Sequence, residues 1–237
     1  MLKISEIFCS IQGEGIYAGT PSIFVRFQGC SSHCLWCDTS FGWDKNSGNE
    51  ISVEEVFNKI CSYKYVTHIV ITGGESLEQL EGLKSLIELL NKNQYFITIE
   101  TNGTIDPRDY LDQFDINIWS ISPKLCSAKA KRKYDIEAIK YMIEYKDSQL
   151  KFVISDEEDI KEMFKLLQQL ELAQYIPIIV QPNGQERGLT CSAEEYSKRA
   201  SWLIAILLKE YISYWSKYDI RIMLQQHKVI WGNKRGV

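Results

Sequence analysis

Cys30-Ser31-Ser32-His33-Cys34-Leu35-Trp36-Cys37 places three cysteines at C-x3-C-x2-C spacing in one short stretch. The chain holds seven cysteines in 237 residues. At that frequency two further cysteines fall at set offsets from a first by chance only about once in 1,000, so the cluster invites a chemical reading. Thiolates are soft ligands that suit iron–sulfur clusters, zinc or Cu(I). A 4Fe-4S cluster takes four ligands, usually cysteines. Three thiolates in one loop therefore leave one iron open to a small molecule, unless a distant cysteine closes the site. The alternative is zinc, which takes four protein ligands when structural, commonly from paired C-x2-C knuckles. Only Cys34 and Cys37 have that spacing, and His33 is poorly placed as a fourth ligand beside Cys34.

Working outward, Ser22 to Gln28 is a β-branched and aromatic run that reads as a buried strand feeding the cysteines. Arg26 is out of place in it: either it faces water from one side of the strand, or it clamps a carboxylate in a pocket. Downstream, Phe41 to Glu50 reads as a polar loop. Ser52-Val53-Glu54-Glu55 starts a helix with a serine cap, running to about Tyr63. Strands are predicted at His68–Thr72, Tyr95–Glu100, Ile116–Ile121, Gln149–Ile154, Ile176–Val180 and Asp219–Leu224. Between them lie helices at Leu77–Asn91, Asp135–Tyr145, Asp156–Leu170 and Ala193–Trp215. This alternation argues for parallel βαβ units. Thr72, Glu100, Ser122 and Gln181 fall at strand C-terminal ends, where a (β/α) barrel gathers its site.

Net charge is −4 and 45% of residues are apolar, enough for a real core and without the basic footprint of nucleic-acid binding. No apolar run is long enough to span a membrane and the first residues are too polar for a signal peptide, which points to the cytoplasm. Reduced cytosolic thiols make a disulfide framework improbable. Cys9, Cys61, Cys126 and Cys191 read as small buried hydrophobes, with Cys126 close in sequence to Ser122-Pro123-Lys124. No linker splits residues 1–237, so one domain is expected.

The cysteine spacing resembles that of the radical S-adenosylmethionine (SAM) enzymes. Further segments narrow the resemblance to the 7-carboxy-7-deazaguanine synthase family: Ile11-Gln12-Gly13-Glu14-Gly15, Phe24-Val25-Arg26, Asp38-Thr39, Thr72-Gly73-Gly74-Glu75, Ser122-Pro123-Lys124 and Trp231-Gly232-Asn233-Lys234-Arg235-Gly236-Val237. The chain has Ser76 where the family commonly has Pro after the Glu.

The resemblance implies a partial, open (β/α) barrel of about six or seven strands. It implies a 4Fe-4S cluster on Cys30, Cys34 and Cys37, and Mg2+ at Thr39. SAM is expected against Trp36, Asp38, Gly74, Glu75, Glu100, Ser122, Pro123, Lys124, Gln181, Pro182, Asn183 and Gly184. Substrate is expected at Ile11, Gln12, Gly13, Arg26, Thr72 and the Val237 carboxylate, with the tail closing the pocket and Glu14 a candidate catalytic group beside the SAM-derived radical. The implied reaction turns 6-carboxy-5,6,7,8-tetrahydropterin into 7-carboxy-7-deazaguanine with loss of ammonia, in queuosine-type 7-deazapurine biosynthesis. A flavodoxin or ferredoxin reductant and a homodimer are implied as well. A radical SAM activase or a zinc-binding interaction module remain alternatives; neither needs Arg26, Thr39 and the terminal segment together.

Overall fold

The fold is taken from a computed structural model, which describes residues 1–144, 147–172, 176–186 and 189–237. In chain order it comprises β1 (Leu2–Ile11), β2 (Pro21–Phe27), β3 (Asn49–Ile51), α1 (Val53–Cys61), β4 (His68–Gly73), α2 (Leu80–Lys92), β5 (Phe96–Thr101) and α3 (Arg108–Leu111). Then follow β6 (Ile118–Ile121), α4 (Ile136–Glu144), β7 (Ser148–Ile154), α5 (Glu157–Leu170) and β8 (Pro177–Pro182). The chain ends with β9 (Gln185–Glu186), β10 (Leu189–Thr190), α6 (Ala193–Glu210), β11 (Asp219–Ile222) and α7 (Gln226–Trp231).

Nine strands form one sheet in the order β11-β8-β7-β6-β5-β4-β2-β1-β3. From β2 to β11 all neighbours are parallel, which makes seven parallel strands, as expected. The ends β11 and β3 do not pair with each other, so the sheet is open and no barrel closes. β1 and β3 extend it antiparallel beyond β2. The short strand β3 corrects the expectation of a plain loop from Phe41 to Glu50: Lys3 pairs with Glu50, so the loop's end is captured by the edge of β1.

Register sorts the two faces. Val25, Ile71 and Ile99 lie on one line across β2, β4 and β5, fully buried under the helices. One residue on, Arg26 pairs with Thr72, and Glu100 with Ser120, which puts polar side chains on the opposite face. A period-two strand divides its side chains this way. The apolar face is covered by amphipathic helices whose starts are written locally. Ser52 forms a full capping box with Glu55, and Asp156 caps α5 by accepting from Asp159 N.

Two further expectations change, and the end of a third lies outside the described residues. The helix predicted to Trp215 stops at Glu210 and continues as a 3-10 turn over Ile212–Ser216. Tyr211 and Tyr214 both stack on Phe164 of α5, so tertiary packing overrides helical propensity there. The helix predicted to Tyr145 is described to Glu144; Tyr145 lies outside the described residues. Cys9, Cys61 and Cys126 are exposed and Cys191 is half-buried, which corrects their reading as buried hydrophobes. Cys61 illustrates the reason: it lies in the last turn of α1, whose buried residues are Val53, Val56 and Ile60.

Candidate active site

The cysteine loop is braced from both sides. Gly74 N donates to Phe27 O at 3.0 Å and Glu75 N to Gly29 O at 2.8 Å, tying the end of β4 to the loop's entry. Only glycines fit here. Gly73 has φ +142, and a Cβ on Gly74 would overlap the Gly29 carbonyl and press on Cys30 Cβ. On the far side, Leu35 N donates to Ala128 O and Lys131 N to Ser32 O, each at 2.7 Å.

All three cysteines of the loop are free thiols and line one concave pocket. The other four cysteines are not on its wall. Burial pushes the Cys30 thiol up to about 11 and raises Cys34 too. A bare thiolate is disfavoured at such positions, whereas a bound cation deprotonates a coordinating thiol outright. Spacing separates the two candidate metals. Among the described residues, Cys126, Asp159 and Glu162 form a trio with every ligand atom within 4.8 Å of the others, whereas the three sulfurs of Cys30, Cys34 and Cys37 do not all lie that close together. A single zinc with bonds of about 2.3 Å would draw three sulfurs to within about 4 Å, while a four-iron cluster takes one thiolate per iron. The donor set therefore fits the cluster better. His33 is no fourth ligand: its Nδ1 is 3.0 Å from Lys131 Nζ and its ring stacks on Trp43.

The Cys126 trio is satisfied without a metal. Asp159 accepts from Ser127 N and Ser155 N, Glu162 from Cys126 N and Tyr134 OH, and the Cys126 thiol donates to Asp159 Oδ1 at 3.3 Å. Although the residue as a whole is exposed, partial desolvation of its sulfur and the Asp159 carboxylate push that thiol up to about 12.

The polar face of the sheet supplies the pocket floor. Thr72 Oγ1 donates to Glu100 Oε2 at 2.8 Å and Gln12 Nε2 to Glu100 Oε1 at 3.2 Å. Lys151 Nζ lies 2.6 Å from Glu14 Oε2 and 3.5 Å from Glu100 Oε1. Gln225 Nε2 donates to Glu14 Oε1 at 2.7 Å. Burial raises the Glu14 carboxyl, but Lys151, His227 and Gln225 outweigh it and hold the group at about 2. Burial alone would also raise Asp38; Lys228, 3.0 Å away, and His227 hold it well below the usual carboxylate range. Arg26 is on the wall and its Nε donates to Glu6 Oε1 at 2.7 Å, so it is an ion pair facing the pocket and not a solvent-facing arginine. Glu100 is likewise held in this network, not in solvent.

Trp36, Ser122 and Lys124 form a second stretch of wall. Trp36 Nε1 donates to Ser127 Oγ, Lys124 Nζ to Ser122 Oγ, and the Lys124 ammonium lies 5.9 Å from the Trp36 ring centre. Thr39 sits beside the cysteines, its Oγ1 3.5 Å from Cys37 Sγ. Ile11, Gly13, Gly74, Asn183 and Val237 complete the expected residues found on the wall. A Cβ on Gly13 would fall 2.8 Å from His227 Nδ1, and Gln226 N donates to Gly13 O, which ties α7 and the tail to the glycine turn.

Glu75, Pro123, Gln181, Pro182 and Gly184 stand behind the wall. Glu75 is buried, accepts from Thr101 Oγ1, Asn102 N and Leu77 N, and is raised to about 6 by burial. Gly184 lies under the Lys228 stem. Sequence reasoning missed Glu6, Lys151, His227 and Lys228, all on the wall. Lys151 had a signal, a charge inside the apolar run Leu150-Lys151-Phe152-Val153, as Arg26 did. His227 and Lys228 sit on a six-residue helix with no comparable signal.

Residues 24–167 match the model of the radical SAM superfamily. The chain is 32% identical over 241 residues to 7-carboxy-7-deazaguanine synthase of Pyrobaculum aerophilum, covering 99% of this chain and 97% of that one. It is also 32% identical over 249 residues to the synthase of Rhodopirellula baltica, covering 99% and 88%. Its fold resembles the crystal structure of QueE from Escherichia coli, with a TM-score of 0.69, 26% identity, and 95% and 94% of the chains covered.

Proposed function

The chain belongs to the 7-carboxy-7-deazaguanine synthase family of radical SAM enzymes, and from that premise we propose that it converts 6-carboxy-5,6,7,8-tetrahydropterin to 7-carboxy-7-deazaguanine with release of ammonia. The observation that carries the reading is the meeting, in one pocket, of three free cysteines with Arg26, Gln12, Thr72 and Val237.

The family uses a 4Fe-4S cluster and SAM, which when bound supply the electron and the hydrogen-abstracting radical; the protein orients and shields that chemistry. Cys30, Cys34 and Cys37 would hold the cluster, and the Gly74, Trp36, Ser122, Lys124 and Asn183 stretch would hold SAM. Glu75, Pro123, Gln181, Pro182 and Gly184 would act as the supports of that stretch. Arg26 would receive the substrate carboxylate, sharing its fork with Glu6. Gln12, Thr72 and Glu100 offer donors and acceptors to the ring edge. The Glu14–Lys151 pair fixes the floor and keeps Glu14 ionised. Thr39 would offer its hydroxyl oxygen to Mg2+, which retains waters and borrows oxygens from substrate, while Asp38, paired with Lys228, would stand against SAM. The tail would close a single-domain pocket, with the Val237 carboxylate accepting from the amino-pyrimidine end. A homodimer, a cytoplasmic address and a flavodoxin or ferredoxin donor complete the proposal. Among the described residues no helix is long and apolar enough to cross a membrane.

The test is anaerobic incubation of iron-loaded protein with SAM, reductant and the carboxypterin. Formation of the deazaguanine product with ammonia supports the reading. A brown protein that cleaves SAM yet leaves the carboxypterin unchanged rejects the substrate; a colourless, zinc-loaded protein rejects the chemistry.

A further inference from the structure

β1 changes face midway. Leu2 and Ile4 lie in the core and Ile7 packs against it, a spacing of two residues and then three. The pairing of β1 with β2 shifts register between Ile4 and Glu6. Such a bulge re-aims the side chains beyond it, so Glu6 and Phe8 fall on the pocket wall and not under the helices. Glu6 then stands between two guanidiniums. Its Oε1 accepts from Arg26 Nε at 2.7 Å, with 18% of the Glu6 side chain and 16% of the Arg26 side chain exposed. Its Oε2 lies 3.6 Å from Arg235 Nη2, too long for a hydrogen bond, and the Arg235 side chain is 55% exposed. Arg235 is otherwise held by the Phe41 ring, whose centre is 3.5 Å from the guanidinium carbon. The two terminal nitrogens of Arg26 make no hydrogen bond among the described residues, so its outer edge can take a second carboxylate.

One carboxylate thus faces two cations and is committed to the more buried one, as expected where water is excluded and ion pairs strengthen. A shift of about 1 Å towards Arg235 would complete a second charged hydrogen bond. We propose that Glu6 is a carboxylate relay that makes closure of the tail depend on the substrate's own carboxylate. The inference rests on the proposed reading of Arg26 as the carboxylate clamp. A substrate carboxylate on Arg26 draws that cation from Glu6, Glu6 turns to Arg235, and the segment bearing Val237 is pinned to the wall. A ring without a carboxylate leaves Glu6 on Arg26 and the tail held by Phe41. The charges agree: one anion between two cations becomes two anions between two cations. Glu6 and Arg235 are then positioning residues that select a carboxylated substrate without touching it.

Trypsin reads the tail directly, because cleavage after Arg235 requires that side chain to leave Glu6 and Phe41 and enter the protease's specificity pocket. Its rate on the iron-loaded protein is measured relative to cleavage after the exposed neighbour Lys234. Glu6→Gln should speed cleavage after Arg235 by at least ~2-fold. Arg26→Gln, which leaves Glu6 wholly to Arg235, should slow it by a similar factor. The two halves of a merely structural pair would shift the rate in the same direction, and that result overturns the proposal. In wild type, 6-carboxypterin, an aromatic analogue with no hydrogen at C6, should slow the cleavage, whereas pterin, which lacks the carboxylate, should not. In Glu6→Gln the two ligands should act alike. Equal slowing by both in wild type, or a difference that survives in Glu6→Gln, overturns the proposal as well, so the test does not hang on the folding of Arg26→Gln. If Arg26→Gln slows cleavage but 6-carboxypterin does not, the relay stands and the reading of Arg26 as the substrate clamp falls.

Discussion

The Lys151 ammonium lies 2.6 Å from the Glu14 carboxylate, with only 8% and 12% of the two side chains exposed. Lys151 comes from the middle of β7 and Glu14 from the glycine turn after β1, so one buried pair joins the sheet to the pocket rim. Removing one member strands the other. Lys151→Met should destabilise the fold by about 3–5 kcal/mol, because an uncompensated buried charge remains. Lys151→Met combined with Glu14→Gln should recover at least half of that loss in chemical denaturation. A double variant as unstable as the single one would show that the loss comes from packing and not from charge. Glu14 is held at about 2 against an ordinary 4.5, so its contribution is present above pH 4.5 and is lost as pH falls towards 2.

The metal prediction concerns the three pocket cysteines. Alanine at Cys30, Cys34 or Cys37 should each abolish iron binding and the visible absorbance of the reconstituted protein. Serine at Cys9, Cys61, Cys126 or Cys191, none of which lines the pocket, should leave iron content unchanged. Loss of iron in any of these four would close the open iron position and remove the site for SAM.

His68 sets an acid-side stability limit away from the pocket. Its ring nitrogens meet Ser22 Oγ and Thr98 Oγ1, both at 2.8 Å, and burial lowers it to about 4 from 6.5. The folded pKa lies below the unfolded one, so the stability is present above pH 6.5. It is lost as pH falls through 6.5 towards 4, by on the order of 3 kcal/mol. Glu75 works in the opposite sense: raised to about 6, its term is present below 4.5 and is lost as pH rises through 6. The clean measurement is the drop in unfolding free energy between pH 7 and pH 4 in wild type and in His68→Gln. The variant should lose less, and equal drops would remove His68 as the cause.

Thr39→Ala should weaken the response of turnover to Mg2+ while iron content and SAM binding stay near wild type. Wild-type activity with an unchanged metal titration would place the magnesium elsewhere.

Much of this was legible in local sequence. Ser52 announced its helix as a cap satisfied within the next turn, and the acidic residues opening Asp156–Leu170 announced theirs at the positive end of the helix dipole. The seven parallel strands followed from alternation. The polar face of the sheet was legible at strand ends, as at Thr72 and Glu100, and where a charge broke an apolar run, as at Arg26. Lys151 breaks one in the same way, but its partners Glu14 and Glu100 are 137 and 51 positions away, so its role depends on topology. Short elements were invisible. β3 is a strand only because the edge of β1 lies beside it, and α7 is anchored by partners far away in sequence, Gln226 N on Gly13 O and Lys228 on Asp38. The burial of Cys9 and Cys61 was misjudged because composition says which residues prefer the interior, not which side of an element they occupy.

The end of the chain carries the sharpest test. Arg235 lies 3.5 Å from the centre of the Phe41 ring, with its NH2 3.6 Å from Glu6 Oε2, and Asn233 Oδ1 accepts from Thr190 N at 2.8 Å. These contacts hold a segment that termini usually leave frayed. They also bring Val237 to the pocket wall while Lys234 and Arg235 stay exposed. Glu6 is shared between Arg235 and Arg26, so the tail and the proposed carboxylate clamp are mechanically joined. An ionised acceptor makes hydrogen bonds roughly twice as strong as a neutral one, which gives the terminal carboxylate its proposed value against the amino-pyrimidine edge. Deleting Gly236 and Val237, or appending a C-terminal tag, should therefore raise the KM for the carboxypterin by at least ~10-fold, the loss of one charged hydrogen-bond acceptor. Iron content and SAM binding should be unaffected, since none of their proposed ligands lies beyond Gly184. Arg235→Ala, which keeps the carboxylate but frees the tail from Phe41 and Glu6, should raise KM by less. Equal KM and turnover for C-terminally and N-terminally tagged protein would remove the carboxylate from the site.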